Sequence, residues 1–242
     1  MPSFLLVVVF FTIAVSQPAS AQEFSVSMGE DGSLGARTIQ LFLLITVLSL
    51  APGLAIMVTC FPFLVTVLSI LRQAIGLQQS PPNMLIVSLA LFLTYFIMEP
   101  VFTEAWEIGL QPFATNNLEI EDAFVQTIKP FRAFMEGRLD PDTFFALADL
   151  REETQDLESS KNAPLSILVP SFLLSEIARA FQIGFLIFLP FLIIDLVVAA
   201  VLMSMGMMMV PPAIVSLPFK LAFFVLADGW NLIATSLVRS YL

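Results

Sequence analysis

The sequence predicts an all-α membrane protein in which hydrophobic helical hairpins flank a small acidic helical module. Three observations carry this reading. Hydrophobic residues make up 58% of the chain, including 24 Phe, against 12% charged, and the mean hydropathy is +0.92; soluble domains do not have this balance. Charge is segregated: residues 99–161 hold 14 of the 20 acidic and 5 of the 10 basic side chains, hence −9 of the net −10. Apolar runs lie on both sides of that window, and each side contains a turn with a Pro pair, Pro81-Pro82 and Pro211-Pro212. The acidic balance argues against nucleic acid or anionic lipid as a partner, since both attract basic patches. With no His and one Cys, Cys60, the chain forms no internal disulfide and has no ordinary zinc site. No nucleophile stands beside a base, so neither an enzyme nor a bound cofactor is expected.

Residues 1–21 read as a signal peptide: an apolar core over 4–15, then Ala19-Ser20-Ala21 before polar Gln22, a small-residue cleavage pattern. The segment lacks the usual basic start, which keeps an uncleaved anchor as the alternative. Cleavage after Ala21 would start residue 22 outside the cytoplasm. A polar lead-in follows over 22–38.

The first hydrophobic hairpin is expected over 39–103. Residues 38–71 carry no charge, and a helix of that length spans roughly 50 Å at about 1.5 Å per residue, against a hydrocarbon core of about 30 Å. One long helix, kinked at Pro52-Gly53 or Pro62, is favoured over a broken pair. Arg72 opens a polar turn containing Gly76, Pro81 and Pro82, and 84–98 is the returning apolar segment. Arg72 at this turn suits a cytoplasmic position by the positive-inside rule.

The acidic module is expected over 104–163. Ile120, Phe124, Ile128, Phe131 and Met135 recur at helical spacing and predict one amphipathic helix, interrupted or kinked near Pro130. Asp140-Pro141 is an N-cap followed by Pro at the first helical position. The next helix is expected to carry Phe144, Phe145, Ala148 and Leu157. So small a core needs the membrane part, or neighbouring copies, to stay folded.

Residues 164–242 contain the C-terminal hydrophobic hairpins: a helix over 165–180, a second apolar segment over 181–210 and a third over 213–237. Between the last two lies Met203-Ser204-Met205-Gly206-Met207-Met208-Met209-Val210-Pro211-Pro212, with five Met in seven positions. Turns normally recruit Gly, Asn, Asp and Ser; an apolar one must be buried in its own protein or in a partner. Met packs well against irregular or changing surfaces, and with no His or nearby Cys the cluster is not read as a copper or haem site. Plain core packing at a hairpin tip is the alternative.

Asp195 and Lys220 lie in apolar runs, where such a residue costs about 2.5–3.5 kcal/mol at a helix centre and therefore finds a partner, a cavity or water. A structural pair, within the hairpin or between subunits, is favoured over a proton path. Glu176 and Arg179, three apart, are expected to satisfy each other. Asp228, beside Gly229 and Trp230, is read as an interface or inter-subunit contact.

Several stretches together resemble the FliP family, the P subunit of the flagellar type III protein-export gate, with a counterpart in virulence secretion. They are the run from Arg72 through Asn83, the run from Phe191 through Ala200, the Met turn through Pro212, and Pro218-Phe219-Lys220 with Asp228-Gly229-Trp230. The resemblance implies a non-enzymatic role in the bacterial inner membrane, within the flagellar basal body. It implies a pentameric homo-oligomer assembled with FliQ and FliR into a ring-like portal for unfolded flagellar subunits. The assembly would be displaced toward the periplasm, with the acidic module periplasmic, and Met207, Met208 and Met209 would form a gasket at the constriction. Two other functional classes compete: a proton-coupled transporter of a small solute using Asp195 and Lys220, and a non-conducting assembly scaffold.

Overall fold

The computed structural model describes residues 34–241 apart from 78–80, 116, 156, 158, 162 and 208. The signal peptide, most of the lead-in and Met208 fall outside the described residues. Every regular element described is helical: α1 Leu34–Met57, α2 Phe61–Ile75, α3 Asn83–Ala105, a π-helical turn Trp106–Leu110, α4 Gln111–Ala114, α5 Ile120–Arg138, α6 Pro141–Ala148, α7 Leu165–Ser204, α8 Pro212–Leu226 and α9 Gly229–Arg239. Among the described residues, three stretches are long and apolar enough to cross a membrane, Ile39–Met57, Asn83–Ala114 and Leu165–Ser204, or four if the bent pair α8–α9 is one span. The described residues fall into two units that divide after Leu48, and the second contains α2 through α9.

The run over 38–71 is a broken pair rather than one kinked helix. The break falls at Thr59-Cys60, not at Pro52, which lies inside α1. Thr59 Oγ1 donates to the Ile56 carbonyl and accepts from the Phe61 amide, closing one helix and opening the next. Pro62 then sits in the first turn of α2, where its missing N–H is no loss. The first hairpin is therefore α2–α3, and α2 is too short to span.

In the acidic region, α5 runs unbroken through Pro130. Its buried face holds Ala123, Pro130 and Met135, while Ile120 and Phe124 stay exposed, so the predicted apolar stripe is only partly the one this chain buries. Asp140 caps α6 as expected, accepting from the Thr143 amide at 3.0 Å, with Pro141 first in the helix. That helix ends at Ala148, and Leu157 packs on it from the following loop. α7 supplies Ile167 to the Phe144–Ala148–Ala163 cluster and Leu168 and Phe172 to the Met135 cluster.

The segments expected over 165–180 and 181–210 are one 40-residue helix, α7. No Gly, Asn or other capping residue separates Ala180 from Phe181. Apolar surroundings tolerate Pro170 and Pro190, because neighbouring groups take up the freed backbone. Conversely, the expected third segment is two helices bent by 61°. Asp228 is the only non-Gly residue at positive φ among the described residues (φ 49, ψ 48); it ends α8 and starts α9. The main core gathers α2, α3 and the middle of α7 around Phe63, Leu64, Val67, Leu71, Ala90 and Ala180.

Candidate functional site

The α7–α8 hairpin is clasped by charge below its turn. Lys220 Nζ lies 2.6 Å from Asp195 Oδ2 and donates to the Ala74 carbonyl at 3.1 Å. Ser216, one turn before Lys220, donates to Asp195 Oδ1 at 2.5 Å. Lys220 is buried, while the Asp195 side chain is 34% exposed. The ammonium thus neutralises a carboxylate in the apolar second half of α7 and also serves the carbonyl end of α2, where a helix favours positive charge. α2, α7 and α8 meet in this one group.

Glu176 organises a second cluster, toward the other end of α7. Its side chain is 0% exposed. The expected partner Arg179 stands at 3.8 Å from Oε1, but Arg138 at the end of α5 is closer, Nε to Oε1 3.1 Å. The Tyr241 hydroxyl donates to Oε2. Arg138 also donates to the Ser240 carbonyl at 2.7 Å and lies 3.9 Å above the centre of the Tyr241 ring. Burial, with the Glu176 carboxylate beside it, pushes the Tyr241 phenol well above its ordinary value, which keeps it a donor. Acidic module, long helix and C-terminal tail are fastened together here.

The two hairpin turns share a design. Gly76 (φ 88) ends α2 and Gly206 (φ 76) follows α7, both left-handed, the conformation glycine adopts without strain. In each, the first Pro of the pair comes five residues later. In the first turn Arg72 donates to the Pro81 carbonyl and to Asn83 Oδ1, so its charge is spent closing the hairpin. In the second, the amides of Gly206 and Met207 donate to the Met203 and Leu202 carbonyls at 3.1 and 3.0 Å, finishing α7. Pro211 caps α8 and Pro212 is its first residue. Met209 is 97% exposed and Met207 43%. Between the arms, from the clasp to this turn, runs an apolar cleft of about 600 Å³. Asp228 is exposed and accepts from Asn231 at 3.0 Å.

Of the residues that the sequence singles out, Asp195 meets Lys220, and Glu176 meets Arg179 more loosely than it meets Arg138. Asp228 joins neither cluster. Arg138, Tyr241 and Ser216 had no signal strong enough to be picked. Ser216 precedes Lys220 by four and so shares its helix face; Arg138 and Tyr241 come from 38 and 65 residues away.

Fold and site together define a helical membrane protein whose α7 and α8 charges are tied in pairs and whose hairpin tip is left apolar. The chain belongs to the FliP family, whose model matches residues 44–237. It is similar to proteins named flagellar biosynthetic protein FliP. That of Caulobacter vibrioides is 49% identical over 227 residues, 93% of this chain and 85% of the relative. That of Agrobacterium fabrum is 47% identical over 240, 98% of each, and that of Bacillus subtilis 48% over 207, 84% and 92%.

Proposed function

We propose that this chain is a core pore subunit of the flagellar type III export gate, passing unfolded flagellar proteins across the inner membrane. In this reading several copies, a pentamer, assemble with FliQ and FliR in the basal body, and the bulk lies toward the periplasm together with the acidic module. Met207, Met208 and Met209 of each copy ring the constriction. The observation that carries it is the Met turn: Met207 and Met209 exposed on the tip of a hairpin whose arms are clasped by Asp195, Ser216 and Lys220. An unbranched, polarizable side chain closes around nothing or around a passing chain with little loss of packing, which is what a leak-tight opening for many sequences requires.

Changing Met207, Met208 and Met209 together to Ala tests this. The assembled mutant is expected to leak ions, by membrane conductance, with flagellar-subunit secretion and assembly followed in parallel. A mutant that assembles, stays tight and secretes normally moves the constriction elsewhere. The transporter reading needs a polar cavity, and the cleft beside the turn is lined by apolar side chains. Full secretion by Asp195→Asn would remove the proton path as well. A scaffold that never touches substrate gives no crosslink from position 208 to a stalled export substrate.

A further inference from the structure

We infer that a small pocket in the acidic module is a socket for one basic side chain, a lysine or arginine of a neighbouring subunit. The pocket, about 270 Å³, lies where the end of α5, the start of α6 and the loop before α7 meet. Glu136, Pro141, Phe144, Phe145, Ser159 and Ser160 line it. None of its lining residues belongs to a stretch long and apolar enough to cross a membrane. It is smaller than the roughly 300–1,000 Å³ that holds a whole small molecule, so the guest that fits is a single side chain.

The chemistry of the lining selects a cation. No described residue donates a hydrogen bond to the Glu136 carboxylate: Oε1 is buried without a partner, and Arg132 Nη1 stands 3.6 Å from it, beyond hydrogen-bond reach. That nitrogen is given instead to the Ala163 carbonyl, at 2.7 Å. The Glu136 side chain keeps 21% of its surface exposed, so an incoming donor still reaches it. Phe145, 39% exposed, is braced edge-to-face on buried Phe144 with ring centres 5.4 Å apart, and an aromatic face attracts a cation. Ser159 and Ser160 add hydroxyl acceptors. A calcium ion takes roughly six to eight oxygen ligands; one carboxylate and two hydroxyls fall short of that. An anion is repelled, since residues 99–161 carry −9. Lys161, which follows Ser160, makes no ion pair with a described carboxylate, so Glu136 is left for a charge from outside. The choice of a subunit's side chain rests on the export-gate reading: a ring built head to tail joins two different faces of each copy, and a socket on one calls for a knob on the next.

The test uses the full-length chain in lipid nanodiscs, with a fluorine label on the Phe145 ring, titrated with N-acetyl-lysine methylamide. A saturable shift of the fluorine resonance is expected. The neutral norleucine analogue should leave the resonance in place, and Glu136→Gln should weaken binding by about tenfold or more, the loss of a hydrogen bond to a charged group. The norleucine comparison needs no change at Glu136, so a folding defect in that variant does not decide the matter. In assembled gates the probe should no longer shift the resonance, because a neighbour's side chain fills the socket. The inference is overturned if the two probes act alike on the single chain, or if folded Glu136→Gln binds as the parent does. It is overturned equally if assembled gates take up the probe as readily as the single chain, which would make the pocket a site for a free amine. The pore reading fails separately: a triple Ala mutant at the Met turn that stays tight leaves the single-chain titration untouched.

Discussion

At Lys220 one ammonium serves the Asp195 carboxylate and the Ala74 carbonyl, so Lys220→Met removes two contacts and a charge. Breaking a buried pair from one side costs about 3–5 kcal/mol. Since Asp195 keeps 34% of its side chain in contact with the outside, the low end is expected, seen as a lower unfolding temperature of the purified assembly. Adding Asp195→Asn should recover part of the loss; no recovery would mean the pair is not the cause. Tyr241→Phe leaves Glu176 Oε2 without its donor, at about 1–3 kcal/mol by the same readout. At Asp140, hydrogen bonds from the Thr143 hydroxyl and amide hold the carboxyl below its ordinary 3.8. A depressed folded value stabilises above 3.8 and is lost as pH falls through the lower folded value. Asp140→Ala should therefore speed amide exchange at Thr143 near neutrality and have no effect in strong acid. The sequence made Asp195, Lys220 and Glu176 visible because a charge in an apolar run is conspicuous. It hid Arg138 and Tyr241, which look like ordinary surface and tail residues until distant segments are brought together.

At the scale of the element, helix existence was legible and most helix ends were not. The N-cap at Asp140 carries a local signal, a short side chain followed by Pro, and the structure uses it. The fusion of 165–204 into one helix has no such signal, since Pro170 and Pro190 read as breakers in any local rule; only an apolar environment overrides them. The break at Asp228 is the reverse, a bend imposed where the sequence still reads as apolar helix. The π-helical turn Trp106–Leu110 is equally silent in the sequence. There Gly109 packs so closely on α5 that a Cβ would fall 2.8 Å from the Thr127 backbone nitrogen. Gly109→Ala must therefore shift α5 bodily, and a destabilisation of about 1–3 kcal/mol is expected in chemical denaturation. The core of the acidic module also borrows Ile167, Leu168 and Phe172 from α7. A fragment of residues 104–163 should show no cooperative melt by circular dichroism, and extension to residue 180 should restore one.

Across the whole second unit, both hairpin turns lie toward the same end of α7. The Lys220–Ala74 contact joins the end of α2 to a point only eight residues beyond Pro212, roughly 12 Å of helix at about 1.5 Å per residue. The Glu176 cluster sits near the other end. Asp195 and Glu176 are 19 residues apart on one helix, or roughly 29 Å, close to the roughly 30 Å of a bilayer's hydrocarbon. Glu176→Gln should raise amide exchange in α5 and the C-terminal tail, where the contacts it weakens are made, while the hydrogen bonds that close the Met turn keep their protection. Loss of protection at the turn would mean that the cluster also holds the turn's own hydrogen bonds.

α7 runs without interruption from the Glu176 anchor to Ser204, 28 residues further on and roughly 42 Å away. It is therefore a lever with its fulcrum in the acidic module. A tilt of only about 10° at the anchored end sweeps the tip through about 7 Å, given about 1.5 Å of rise per residue. Small strains at the far end, where the contacts are many and tight, arrive at the turn magnified, and the geometry of one long helix is enough to magnify them.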